Sequence, residues 1–340
     1  MFSVRLLAAS GVLHIRRIEA AALVGLAYLL MTHSAPVLGA ADWKVVYLHP
    51  TSADVSMAYA VNGALQGGWV RDPLRGAVWQ GSGGNVSLIS TAASSVYAQQ
   101  GNDKAGFANN KAALWVGPLN DYVDLHPPGA VTSAVYGLYG STQVGETSWG
   151  SGSGHASGYH ASLWTGSAAS WQDLSPEGSS DSHLHAIDSS GQAGRFRASV
   201  SSPYHAGLWQ GTAESVVDLH PAGAYASQAQ AISNGRQGGY VQYERDGTYY
   251  PAVWSGTAES FVNFSAPGAP TDAGVIYGMQ GNLLVGGARF LDGSGGATIW
   301  FGTPESAFNL ASLLSSDYTR SEARAVDIDE FGTIRVVGYA

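Results

Sequence analysis

The chain has 340 residues, with 45 Gly, 10 Trp, 17 Tyr, no Cys and only 12% charged positions. A formal charge of −9 leaves no basic stripe to neutralise phosphates and argues against a nucleic-acid partner. The lack of cysteine excludes disulfides, thiolate catalysis and cysteine-ligated zinc, while Gly combined with Trp and Tyr favours an all-β protein rich in tight turns.

Residues 1–41 read as a targeting segment. Arg5, Arg16 and Arg17 precede an apolar run, Ala20 to Met31, that is too short to span a bilayer comfortably. Small residues at Gly39, Ala40 and Ala41 suit a signal-peptidase cut. Glu19 is atypical for a leader and keeps an uncleaved anchor open as the alternative. No second apolar run follows, so residues 42–340 are expected to form a single exported domain, periplasmic or extracellular, with no membrane span after cleavage.

A repeat organises the remaining chain. Trp79, Trp115, Trp164, Trp209, Trp254 and Trp300 each lie in a short apolar run with Gly two residues later, at steps of 36, 49, 45, 45 and 46. A period near 45 with four strands per unit is the signature of a propeller blade. Apolar residues alternate with period two and Gly interrupts every run, which excludes helical repeats. The first strand of each unit reads AYAV, VYAQ, VYGL, LHAI, AQAI, IYGM or ARAV, and seven copies predict a seven-bladed β-propeller. Second strands carry glycine-rich runs (LQGGWV, QVGE, QAGRF, QGGYV, LVGGA), third strands carry the Trp, and fourth strands carry VDL or a variant. WKVVYLHP, residues 43–50, is a fourth strand with no first three ahead of it, and 322–340 supply two strands with no Trp strand after them. Joined, they predict a blade closed by both termini, leaving no exposed edge, with three or four strands at the seam.

His160-Ala-Ser-Leu-Trp164 and His205-Ala-Gly-Leu-Trp209, each followed by Gly and then Asp-Leu, resemble the HAF-type extracellular repeat. Ser162 and Gly207 replace the Phe of that motif. The resemblance spans roughly residues 43–340 and implies an exported, propeller-like protein. It implies no catalytic residues.

Propeller connectivity sorts the loops onto two faces. Links from strand one to two and from three to four are short and uniform (SSGQ, SNGR, SGTAES, QGTAES). Links from two to three and into the next blade are long and irregular, and any site is expected on that face. Leu-His-Pro at His49, His126 and His220 reads as a strand-ending turn device. The crowd of His155, His160, His183, His185 and His205 could in principle bind zinc or copper. His160 and His205 hold the repeat's own consensus position, however, with no carboxylate at ligand-like spacing. Asp327-Ile-Asp329-Glu-Phe-Gly332 reads as an acidic turn rather than a calcium loop. No metal and no cofactor is expected.

The central residues of the seven first strands are Tyr59, Tyr97, Tyr136, His185, Gln230, Tyr277 and Arg324, flanked by small or apolar residues. Alternation would turn them toward a central channel. Two residues earlier, polar side chains concentrate at His183, Gln228 and Glu322. Such asymmetry is what a site produces on a repetitive scaffold, although these groups could also satisfy one another and channel water. The leading expectation is a propeller that binds a glycan or an extracellular protein through these residues and the irregular loops, which carry Trp149, Tyr159, Tyr204, Tyr243, Tyr249, Tyr250 and Phe290. The alternative is an extracellular carbohydrate-active enzyme, a lyase or hydrolase, acting in the channel. There Glu322 or His183 would be the acid or base, Arg324 would hold a carboxylate, and His185 and Tyr136 would assist. Only one acid is visible among these positions, which favours lyase chemistry over hydrolysis.

Overall fold

Glycine-punctuated apolar runs form strands, which among the described residues assemble into seven four-stranded antiparallel sheets. The architecture is an all-β propeller, and among the described residues helical geometry is confined to short 3-10 turns such as Ala213–Ser215 and Ala258–Ser260. The computed structural model describes residues 2–6, 43–71, 73–89, 93–118, 121–150, 155, 158–265 and 268–340. Among them no helix is long and apolar enough to cross a membrane.

Sheet 1 runs outward from Val55–Asn62 through Leu65–Arg71 and Arg75–Gln80 to Val86–Leu88. Sheets 2 to 6 repeat this order, with first strands Ser94–Gln100, Thr132–Tyr139, Asp181–Asp188, Ala226–Ser233 and Thr271–Gln280. Sheet 7 takes its two inner strands, Glu322–Ile328 and Ile334–Tyr339, from the end of the chain. Each first strand packs against the next, and Glu322–Ile328 packs against Val55–Asn62.

The repeated Trp residues hold neighbouring sheets together. All six are 1% exposed or less. Trp164 of sheet 3 clusters with Ala105 and Leu114 of sheet 2, and Trp209 of sheet 4 with Val144 and Leu163 of sheet 3. Each buries on the order of 200 Å², about 5 kcal/mol of transfer free energy. Hydrogen bonds fasten the same seams. The hydroxyls of Ser133, Ser182 and Ser227, at the start of first strands, accept from Ala112, Ala161 and Ala206 of the preceding sheet at 2.7–2.9 Å. His126 Nδ1 and His220 Nδ1 then bond Ser133 and Ser227 at 2.8 and 2.9 Å, so the Leu-His-Pro turns brace these bolts. On the short-turn face a relay joins the sheets, with Gly101, Gly140 and Gly281 donating to Asn62, Gln100 and Ser233. Gly63 donates to Asp327 at 3.0 Å and carries the relay across the junction of the termini. Asp329 accepts from Phe331, Thr333 and Arg335, so the Asp327 and Asp329 carboxylates of this acidic turn are occupied by the chain's own donors.

One irregularity recurs in every sheet. The register of the first strand slips at Tyr59, Tyr97, Tyr136, His185, Gln230, Tyr277 and Arg324, each left without a partner residue on the second strand. This is a β-bulge, and it aims the extra residue inward. The bulge presses the carbonyl two residues earlier against a second-strand glycine. A Cβ on Gly68, Gly106, Gly145, Gly194, Gly239, Gly286 or Gly338 would lie 1.8–2.0 Å from that oxygen. Simple alternation therefore predicted the right residues through the wrong geometry. It is the unpaired residue of a bulge, rather than one side of a regular pleat, that faces the channel.

The seam differs from the sequence reading. Trp43–Tyr47 is the outer strand of sheet 7, as expected, but Phe2–Leu6 lies between it and Ile334–Tyr339. The missing third strand comes from within the stretch read as a leader, because period-two FSVRL can pair on both edges. The rest of that reading, Arg16 and Arg17, the run Ala20 to Met31 and the cut near Gly39 to Ala41, lies outside the described residues.

Two outcomes are expected. Replacing Gly145 by Ala should cost roughly 3 kcal/mol by overpacking against backbone, measured by chemical denaturation. An unchanged midpoint would refute the bulge constraint. Deleting 43–50 removes the largely buried Trp43 and the fully buried Leu48. It should lower the melting temperature by roughly 10 °C or more. Melting at the full chain's temperature would show that closure does not depend on this strand.

Candidate functional site

The seven bulged residues meet where the first strands converge. Tyr59, Tyr97, Tyr136, His185, Gln230, Tyr277 and Arg324 together line a cavity of about 310 Å³ on the axis. Tyr59, Tyr97 and Tyr136 form a chain of rings with centroids 5.1 and 5.3 Å apart, and His185 continues it 6.0 Å from Tyr136. Arg324 stacks over Tyr277 at 4.0 Å. Burial raises the Tyr97 hydroxyl to about 12, helped by Tyr59, and the Tyr277 hydroxyl to about 12, helped by Glu322. Burial and then Glu146 raise Tyr136 further. These phenols stay protonated, and Tyr136 donates to Glu146. His185 is held well below the ordinary histidine value by burial and by the charges of Arg195 and His183, so it is neutral. Its Nε2 has no hydrogen-bond partner among the described residues.

A second tier lies toward the face with the long loops, one residue past each bulge glycine. It consists of Trp69, Phe107, Glu146, Arg195, Tyr240, Gly287 and Tyr339. Each stands across from the first-strand residue two before the ring, so Glu146 opposes Ala134 and Arg195 opposes His183. Sequence reasoning found the first-strand partners but not this tier. The signal was present: the residue after the glycine varies from Trp to Glu to Arg where its neighbours stay constant.

Sheets 3 and 4 concentrate charge there. His183 is 4% exposed, and its Nδ1 bonds Glu146 while its Nε2 lies 2.7 Å from Asp181. Tyr136 donates to the other oxygen of Glu146 at 2.9 Å. Asp181 also receives Arg197 at 2.6 Å and the Tyr204 hydroxyl at 2.8 Å. Burial alone would lower His183, but hydrogen bonds to Asp181 and Glu146 outweigh it and raise the imidazole above its ordinary value. Burial works against the Asp181 charge as well, yet its bond to His183 leads the contacts that bring it down to about 2. Arg195 stacks on Tyr204 at 4.2 Å and makes no ion pair among the described residues. Across the ring, Arg324 pairs with Glu322 at 2.5 Å.

The expected catalytic groups thus divide. Glu322 and Arg324 neutralise each other, and both nitrogens of His183 face carboxylates. His185 lines the channel, but its unpartnered Nε2 is itself buried, as are the Nε atoms of Arg195 and Arg324. Gln228 and Gln230 bond each other at 3.0 Å. Tyr249 and Tyr250 lie further out, packed on Tyr240 and Tyr243, with Tyr249 47% exposed. Trp149 is not an exposed loop ring; it is 6% exposed and stacked on His155. Nor do the consensus histidines lack acids. His160 and His205 bond Asp173 and Asp218, thirteen residues on, at 2.6 and 2.8 Å. The antiparallel return of strand four brings those partners back, so these pairs brace the repeat. Among the described residues no group of three or more His, Asp or Glu could hold a metal ion.

No protein-family model matches the chain, and no curated protein does. Solved structures do. The chain is similar to the extracellular domain of a hybrid two-component system from B. thetaiotaomicron, with a TM-score of 0.50 and 9% identity over 86% of this chain and 39% of that one. It also resembles an acylaminoacyl peptidase from Pyrococcus horikoshii (0.49, 11%, covering 84% and 50%) and TolB from Acinetobacter baumannii (0.47, 9%, covering 83% and 63%). The chain spans less than two thirds of each. At such identities the likeness is one of fold.

The His183 cluster has a pH signature. A raised histidine contributes stability that is complete below about 6.5 and fades as pH rises through its folded value. The depressed Asp181 contributes above its ordinary value near 4, and that part is lost toward pH 2. Replacing His183 by Gln should therefore cost most near pH 5 to 6, roughly 3 kcal/mol, and less above 7. Denaturation across pH 4 to 9 would check this, and a cost that did not change with pH would contradict the charged assignment.

Proposed function

We propose that the chain is an exported, seven-bladed propeller interaction protein that binds a glycan or an extracellular protein at the channel mouth on its long-loop face. The observation that carries this reading is the polar break in the repeat at that mouth. Six of the seven second-tier positions hold large side chains, yet charge gathers at Glu146, Arg195 and their partners Asp181, His183 and Arg197. Packing alone would leave such positions apolar, as at Trp69 and Phe107. Arg195 touches His183 at 3.4 Å and stacks on Tyr204 but has no ion-pair partner among the described residues, so its charge can meet a ligand carboxylate. The resemblance to HAF-type repeats and the leader-like residues 1–41 support export. Cleavage near Ala40 would remove Phe2–Leu6 from sheet 7.

A second reading, an extracellular lyase, rests on His185. The residue lines the channel as a neutral imidazole whose Nε2 is buried without a partner; a substrate that brought that nitrogen within reach could give it a proton, with Arg195 neutralising the carboxylate beside the carbon that loses it. Hydrolysis is less favoured, since Glu146 is engaged by both His183 and Tyr136.

Glycan-array binding and a pull-down from the native extracellular fraction test the leading reading. Arg195→Ala is expected to weaken the detected interaction roughly tenfold, the scale of one charge-assisted contact. If Arg195→Ala, Tyr249→Ala and Tyr250→Ala all left every interaction intact, this face would not be the binding face. Release of unsaturated products from uronate polymers, lost in His185→Ala, would instead establish the lyase.

A further inference from the structure

At sheet 6 the second tier has a gap. Trp69, Phe107, Glu146, Arg195, Tyr240 and Tyr339 fill the equivalent place in the other six sheets, but sheet 6 has Gly287 opposite Val275. The space left by that side chain belongs to a cleft of about 790 Å³ between sheets 6 and 7, which shares Tyr277 with the axial cavity. This volume is in the range of small-ligand sites. Gly287 is not there to relieve the bulge, which is the task of Gly286. A Cβ on Gly287 would meet only the Glu322 side chain at 3.4 Å and the Gly296 carbonyl at 3.9 Å, so the backbone tolerates a larger residue.

Resting on the reading of this face as a binding face, we infer that the cleft is a subsite for an acidic oligosaccharide, a chain of uronate sugars. The walls carry both kinds of group that sugars need. Tyr249 is a partly exposed ring beside the cleft, suited to the apolar face of a pyranose. Glu322 offers an acceptor for hydroxyls. Arg289 is forked onto Asp272, whereas Arg320 is exposed and makes no ion pair among the described residues. Its guanidinium can take a carboxylate bidentately. An extended peptide fits less well. At Gly287 the floor is sheet interior, paired to both Val275 and Ala297, so a peptide lying in the gap left by that side chain finds no free backbone groups there.

Calorimetry on the full chain tests this with tetragalacturonate and tetramannuronate as probes and cellotetraose as the neutral control. At least one uronate tetramer is expected to bind, with the neutral tetramer roughly tenfold weaker or more. Gly287→Tyr, which installs the side chain of sheets 5 and 7, should weaken uronate binding at least tenfold with the melting temperature held. Arg320→Glu and Tyr249→Ala, on exposed side chains, should weaken it even if Gly287→Tyr folds poorly. Uronate binding that ignores all three cleft variants but falls with Arg195→Ala would overturn the cleft assignment and leave the channel-mouth reading standing. Equal affinity for cellotetraose, or no binding of either uronate tetramer, would overturn the acidic-glycan assignment. A protein captured through the same face would then sustain the broader reading alone.

Discussion

A carbonyl and a glycine in van der Waals conflict organise the centre of this molecule. In every sheet the bulged first strand drives its carbonyl to within 2.0 Å of where a second-strand Cβ would sit, and only glycine leaves room. The bulge in turn frees one residue per sheet from pairing and points it at the axis. Without the glycine the bulge could not form, the strand would revert to a regular pleat, and the channel would lose its lining. The residue before each bulge is buried and apolar, and the residue after it is Ala or Gly, as with Ala58 and Ala60 beside Tyr59, where neighbouring first strands pack together.

Around this centre the scaffold is rigid for repetitive reasons. Buried Trp side chains, serine hydroxyls accepting from the preceding sheet, and a relay of turn amides recur at the seams. None depends on the identity of the ring residue. A position that contributes little to the scaffold can vary, and the variation falls at the ring, in the second tier and in the long loops. The fold therefore separates the groups that hold it together from those that can recognise a ligand.

Charge follows the same division. The chain carries a formal charge of −9, yet cations gather at the mouth, where Arg195, Arg197, Arg324 and the protonated His183 face Glu146, Asp181 and Glu322. Pairing leaves Arg195 over. An acidic ligand approaching an acidic protein would meet attraction there and at the exposed Arg320 beside sheet 6, which favours orientation as well as affinity. The neutral His185 beneath it keeps the channel floor polar without adding charge.

Much of this was legible in the residues. The Trp period, the glycine-rich second strands and the seven first-strand cores announce an all-β propeller, because a four-strand unit buries one face against the next and must repeat its packing residues to do so. The ring residues could be named for the same reason, since each interrupts a run of small neighbours. Several things could not be read locally. The bulge depends on which carbonyl meets which glycine across a strand pair. The second tier is visible only once the register aligns Arg195 with His183 and leaves Gly287 as the one gap. His160 finds Asp173, and Asp181 finds Arg197 and Tyr204, through the antiparallel return of strands, so spacing along the chain hid those partners. Phe2–Leu6 entered sheet 7 although leader-like features surround it. Strand pairing is decided by an open edge in space, and position in the sequence carries no trace of where that edge will be.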